Sequence, residues 1–222
     1  MKLIVLTEPG FFIEEDKILT SLFEEGLDTL HLRKPDSEPV YCERLLSLIP
    51  DIYHNRIVVH DHHYLVDEFH LMGYHLSRRN DTCAHVHTGT CTRTCYSLSE
   101  VVQEKDRCSY VLLRNIFDSI SEPTNKASFS SEELLEARQK GILDRKVMAE
   151  GGVSLDSIPY LRELGFGGIA VRGELWRHFD IHQGTDFREL ITHFRLLRKA
   201  TADRIGPPWS IQTMTREYDH II

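Results

Sequence analysis

Positive charge is in short supply. Twenty-six Lys and Arg stand against 34 Asp and Glu, leaving a formal net charge of −8 with His neutral. That deficit argues against nucleic acid or an anionic membrane surface as a partner, because both are held by clustered cations. Long apolar runs are also missing. No stretch approaches the roughly 18 consecutive apolar residues that a membrane span needs. The opening MKLIVLTEPG is interrupted by Glu8 and Pro9 too early to read as a signal peptide, so a cytoplasmic protein is expected. Cysteine is sparse and odd in number: Cys42, Cys83, Cys91, Cys95 and Cys108. In a chain of 222 residues this argues against a disulfide framework. Cys91 and Cys95 fall on one face of an extended segment, but zinc would want tighter pairs and a second pair, so core thiols are expected. No internal repeat and no low-complexity tract is present.

What is present is apolar residue, at 41%, and histidine, at 13 copies. The apolar fraction is enough for one sizeable core. Several histidines cluster in HDHH (60–63), followed by His70, His75, His85 and His87. His85 and His87 would project side by side from a strand. A structural metal there is one reading; scattered surface or core imidazoles are the simpler one.

Strand-like and helix-like segments alternate along the chain. Strands are expected at 3–9, 30–34, 56–62, 74–77, 90–94, 110–117, 146–152 and 167–176. Helices are expected at 13–26, 38–50, 64–73, 97–106, 131–141, 154–165 and 186–200, with Ser97 and Glu100 forming a capping box. Between 78 and 89 no clear helix is legible, so a fourth helix is short or missing there. The segment 118–130 is a polar loop. Eight near-continuously apolar strands separated by helices imply a parallel sheet, and this length favours closure into a single-domain (β/α)₈ TIM barrel over residues 1–202. An open doubly wound sheet is the alternative. Residues 203–222, with two prolines, read as an irregular C-terminal tail.

In such a barrel the chemistry sits at the C-terminal strand ends. Those ends read Arg33 and Lys34, His60 and Asp61, Ser77 with Arg78 and Arg79, Thr94 and Tyr96, Asn115, Gly151 and Gly152, then Arg172 and Gly173. The mouth is cationic within an acidic chain and suits an anionic ligand. The glycines carry more information. EGGVSLD and AVRGELW each end a strand and open a helix, where backbone N–H groups can hold a phosphate. Phosphate sites in barrels are frequently built by these last two loops. Tight turning alone is the competing explanation. Lys126, in the polar loop above strand six, is either a cation carried by a lid or an ordinary surface lysine.

Four segments together resemble the thiamin phosphate synthase and thiazole tautomerase barrels: LDTLHLRK (27–34), RIVVHDHHYLVDEFHLMGYHLS (56–77), SYVLLRNIF (109–117) and KVMAEGGVSLDSIPYLRELGFGGIAVRGELW (146–176). Their order and spacing hold to about residue 200. The resemblance implies small phosphorylated substrates, with homodimerisation left open. It implies Mg²⁺ for the synthase, which joins a hydroxymethylpyrimidine diphosphate to a thiazole phosphate, and no cofactor for the tautomerase. It assigns Arg33, Asp61 and Lys126 as catalytic, and Lys34, His60, Thr94, Tyr96 and Asn115 as substrate-binding. Gly151, Gly152, Arg172 and Gly173 would bind phosphate, and Asp61 with Asp81 would hold the metal.

The match has gaps. Lys34 and Pro35 follow Arg33 where the family shows Glu-Lys, and His60 replaces Asn. Asn80 stands where the second metal carboxylate is expected, with Asp81 one residue on. The tautomerase histidine falls at Asn115, which cannot take up and give back a proton near neutral pH, so His60, His62 or Tyr96 would have to serve. Thiazole phosphate binding therefore has more support than diphosphate chemistry. The expected function is a synthase of thiamine biosynthesis. The alternatives are a tautomerase and a non-catalytic paralogue that binds thiazole or thiamin phosphate.

Overall fold

The computed structural model describes residues 1–82, 89–180 and 186–202. Eight strands pair in sequence order and close on themselves: β1 (Lys2–Leu6), β2 (Thr29–Leu32), β3 (Ile57–Val59), β4 (Gly73–Leu76), β5 (Thr90–Cys95), β6 (Tyr110–Leu113), β7 (Val147–Glu150) and β8 (Gly168–Val171). All pairings are parallel, including the closing one, in which Leu3 stands opposite Ile169 and Val5 opposite Val171. The fold is a (β/α)₈ barrel.

The helices form the outer layer: α1 (Glu15–Glu24), α2 (Pro39–Leu48), α3 (Leu65–Glu68), α4 (Leu98–Glu104), α5 (Ser131–Gln139), α6 (Ile158–Glu163), α7 (Gly173–Trp176) and α8 (Arg188–Ala202). Their packing follows from helical spacing. In α1, Ile18, Leu19, Leu22 and Phe23 form the buried stripe; in α8, Leu190, Phe194, Leu197 and Thr201 do. Truncating Phe194, which is fully buried, to Ala costs about 3–5 kcal/mol by the usual large-to-small rule. Two contacts tie the closing unit to β1. Trp176 Nε1 donates to Leu6 O at 2.8 Å, and the N-terminal ammonium donates to Thr201 O at 2.9 Å.

Several boundaries differ from the sequence expectation for local reasons. The 64–73 helix is a single turn, followed by His70 at φ +53°. Strand 167–176 stops at Val171, because GELW turns into α7. The 154–165 helix begins with a 3₁₀ turn at Leu155–Ser157. The capping box of α4 is half made. Ser97 Oγ accepts from Glu100 N at 3.2 Å, but the Glu100 carboxylate reaches Tyr96 N at 2.6 Å, one residue early. Cys83, His85 and His87, half of the segment without a clear helix, and the tail 203–222 lie outside the described residues. Among the described residues, no helix is long and apolar enough to cross a membrane.

Candidate active site at the barrel mouth

Alternation along the strands decides what reaches the mouth. Ile4, Leu6, Tyr110, Leu112, Met148 and Ala170 form one buried cluster inside the barrel. Their neighbours Leu3, Val5, Val111, Leu113, Val147, Ala149, Ile169 and Val171 pack beneath the helices. Continuing the inward register two residues upward gives Arg114 after Leu112, Glu150 after Met148 and Arg172 after Ala170; Arg33 likewise follows the buried His31. These four residues line one cavity with about 520 Å³ of empty space.

The cavity is also lined by Asn115, Gly151, Gly152, Gly173 and the loop residues Ser119, Ser121 and Asn125. Gly151 and Gly152 have φ of +94° and +65°. A Cβ on Gly152 would lie 2.2 Å from Asp118 O, so glycine is required by both conformation and space. Among the described residues, nothing accepts from the N–H groups of Gly152, Val153 and Gly173. Arg172 Nη2 donates to Ser121 Oγ at 2.6 Å and to Glu122 at 2.5 Å, drawing the 118–130 loop across the cavity. That pairing holds the Glu122 carboxyl below its ordinary range. The result is a walled recess with uncommitted backbone donors, suited to a phosphate.

A second cavity, with about 740 Å³ of empty space, adjoins it and shares Arg33, Arg114 and Glu150 as a wall. Its other side carries His60, Asp61, Arg78, Arg79, Thr94 and Tyr96. The Arg78 guanidinium lies 4.2 Å from the Tyr96 ring centre and pairs with Glu100 at 2.6 Å. No ion pair among the described residues engages the Arg33 guanidinium, and burial together with neighbouring Arg114 pulls its pKa down. Glu150 stands between these cations. Burial raises its carboxyl pKa against the pull of Arg114, Arg33 and Arg172, and its Oε2 has no hydrogen-bond partner.

Arg33, Asp61, His60, Thr94, Tyr96, Asn115, Gly151, Gly152, Arg172 and Gly173 therefore come to the mouth. Three expected residues do not line either cavity, and Asn115 arrives by a different route. Lys34 is buried, its Nζ spent on Glu8 O at 2.9 Å, Gly10 O at 2.7 Å and Glu15 Oε1 at 2.6 Å. An ammonium has three N–H donors, so none is left for a substrate. Lys126 is exposed and pairs with Asp118 at 2.7 Å, because Asp118 also accepts from Ala127 N and turns the loop outward there. Asp81 pairs with Arg93, an outward residue of β5, and does not meet Asp61. Asp81 therefore does not line the cavity that Asp61 does; Asp61 and Glu150 are the carboxylates there. Asn115 is not the inward residue of strand six. Arg114 is, and Asn115 reaches the first cavity from beyond the strand at φ +63°.

Sequence reading missed Arg114, Glu150 and His31. The first two were legible as period-two continuations of Tyr110–Leu112 and of Met148.

The chain matches the thiamine monophosphate synthase family (TMP-TENI) over residues 3–175. It belongs to that family. Similar solved structures agree. The thiamine phosphate pyrophosphorylase of Bacteroides thetaiotaomicron is 46% identical with a TM-score of 0.82, covering 90% of this chain and 97% of that one. That of Pyrococcus furiosus is 18% identical with a TM-score of 0.70, covering 90% and 95%. A 3-hexulose-6-phosphate synthase, 17% identical with a TM-score of 0.60 and covering 91% and 100%, shares the fold. No curated protein sequence matches. Within this thiamine monophosphate synthase family member, the glycine-lined recess lies at the ends of β7 and β8.

Proposed function

We propose that this chain is a thiamin phosphate synthase. The observation that carries the reading is the pair of adjoining cavities: a backbone cradle on one side, Arg78 and Arg79 on the other, and Arg33, Arg114 and Glu150 between them. Thiazole phosphate rests its phosphate on Gly151, Gly152 and Gly173. Hydroxymethylpyrimidine diphosphate places its diphosphate against Arg33, Arg78, Arg79 and Arg114. The methylene C–O bond breaks, and diphosphate leaves with the electron pair. The thiazole nitrogen then forms the C–N bond to the pyrimidine methylene. Fixed guanidiniums stabilise the leaving charge without reorganising, and the Glu150 carboxylate supplies negative charge where the pyrimidine cation develops. Mg²⁺ commonly binds through one carboxylate and substrate phosphates, so Asp61 is the residue that would hold it, neutralising leaving-group charge. Both substrates are small phosphate esters, and we place the reaction in the cytoplasm.

One observation favours a second reading. Glu150 is a shielded carboxyl of raised pKa beside Asn115, where a tautomerase would need its proton carrier. Crystals grown with thiazole phosphate, paired with calorimetry of both substrates, test the synthase reading. It requires the thiazole phosphate group on the Gly152 and Gly173 N–H groups and the diphosphate in the arginine-lined cavity. Conversion of thiazole carboxylate phosphate alone, lost in Glu150→Gln, would replace it with the tautomerase. Binding of both ligands without any turnover would leave only the binding role.

A further inference from the structure

Beneath the second cavity three imidazoles converge. His31 comes from β2, His60 follows β3 and His75 comes from β4. One nitrogen from each lies within 4.8 Å of the others. His31 and His75 are fully buried, and His60 opens to the mouth. His31 Nδ1 and His60 Nε2 are 2.8 Å apart; the His60 and His75 rings stack at 4.0 Å. Three adjacent parallel strands supply them at successive inward positions, where Ile4, Leu6, Tyr110, Leu112, Met148 and Ala170 fill the opposite half of the barrel. Neither the phosphate cradle nor the arginine wall uses them.

The outer atoms of these rings are anchored. His75 Nδ1 is 2.8 Å from Thr92 Oγ1, which itself donates to Tyr74 O at 3.2 Å. Thr92 therefore accepts from His75 Nδ1–H, and the lone pair of His75 sits on Nε2, where the Thr94 hydroxyl donates to it at 2.7 Å. His31 Nε2 is 2.6 Å from the Tyr110 hydroxyl, which leaves Nδ1 as its inner atom. Burial holds all three rings neutral, the form that ligates metal. A lone pair pointing inward, with the other ring nitrogen bonded to an oxygen, is the arrangement found in histidine metal sites.

We propose that His31, His60 and His75 bind a borderline divalent transition ion of the Zn²⁺ class at the floor of the barrel mouth. Three imidazoles select zinc, cobalt or copper and reject Mg²⁺, which takes oxygen. Two donors would be protein-facing and the third, His60, borders the cavity, so the remaining coordination positions open toward the ligand side. The ion takes the His75 Nε2 lone pair from the Thr94 hydroxyl, 2.7 Å away, which is then free to rotate. Entry of the ion replaces the His31–His60 hydrogen bond and widens that pair to roughly 3.4 Å, the nitrogen spacing of a tetrahedral site with metal–nitrogen bonds near 2.0–2.1 Å. Lys2 and Arg33 face the rings and oppose an added charge.

The test is a titration of EDTA-stripped full-length protein with Co²⁺, read by its visible d–d absorption, and with Zn²⁺ by calorimetry. One tight equivalent is expected for the wild type. His31→Gln and His75→Gln should each weaken it by more than about 100-fold, and Tyr110→Phe, which removes only the oxygen behind His31, by roughly 10-fold. Circular dichroism confirms that each variant is folded, and Tyr110→Phe keeps the test informative if a histidine variant is not. Absence of a tight equivalent in the wild type overturns the proposal. So does binding that is unchanged in all three variants, which would assign the metal to other histidines such as the exposed His70.

Discussion

Substituting Gly152 by alanine probes the phosphate cradle at its tightest point. Gly152 has φ +65°, where an L side chain costs about 1–2 kcal/mol. The new Cβ would also meet Asp118 O at 2.2 Å and Phe117 Cβ at 2.7 Å. These are backbone and stem atoms, so the 117–118 segment has to move by close to an ångström. That segment cannot move alone. Asp118 is bonded to Lys126 and Ala127, and Ser121 and Glu122 are held by Arg172. The shift therefore moves the loop wall away from the recess and re-aims the N–H groups. Loss of one charge-assisted bond to a phosphate is worth about 1.5–3 kcal/mol, roughly a 10- to 150-fold weaker Kd for thiazole phosphate. Gly173→Ala should cost less, since its Cβ contacts are 3.1–3.2 Å and its φ is not in the left-handed region. Gly10→Ala, with nothing within 4 Å, serves as the neutral control. Calorimetry on the three variants checks the order. A folded Gly152→Ala protein that binds thiazole phosphate as the wild type does would refute the placement of the cradle.

Lys34→Ala should destabilise the fold by about 3–5 kcal/mol in urea titration, because it strands the buried Glu15 carboxylate; a surface lysine would cost nothing measurable. The contribution of His31 to stability should fall on acidification, against the opposite trend from buried Glu15, whose carboxyl burial raises to about 7. Burial depresses His31 to about 3 from an ordinary 6.5, so the unfolded chain binds more protons below pH 6.5 and the native state loses about 2–3 kcal/mol by pH 4.5 from this residue alone. Urea midpoints in wild type and His31→Gln check this, and a stability difference between the two that does not change from pH 6.5 to 4.5 would contradict it. Asn115→His should raise aromatising activity toward thiazole carboxylate phosphate by ~10²–10⁴-fold if the recess is a latent tautomerase pocket. The left-handed backbone there tolerates both residues.

Much of the barrel is written locally. Apolar runs give the strands, the spacing of Leu190, Phe194 and Leu197 gives the last helix, and the glycine pairs give the recess. The site was legible only where a residue's partner is near in sequence or where strand period fixes its direction. Arg114 and Glu150 follow from that period, but reading the strand end as a list of polar residues picked Asn115 instead. Lys34 reads as a mouth cation until Glu15, 19 positions earlier, turns out to be buried beside it. Asp81 reads as a metal ligand until the outward face of β5 presents Arg93. The histidine cluster joins residues 31, 60 and 75 across three strands, and only the barrel's closure makes them neighbours.

The most direct measurement incubates purified protein with hydroxymethylpyrimidine diphosphate and thiazole phosphate in Mg²⁺ and follows thiamin phosphate and diphosphate together. The account predicts equimolar release of both products by the wild type, with kcat/KM reduced by about 10²–10³-fold in Arg33→Ala, the order expected for one stabilising donor at a developing charge. Absence of thiamin phosphate from protein that binds both substrates, or turnover indifferent to Arg33→Ala, would contradict it.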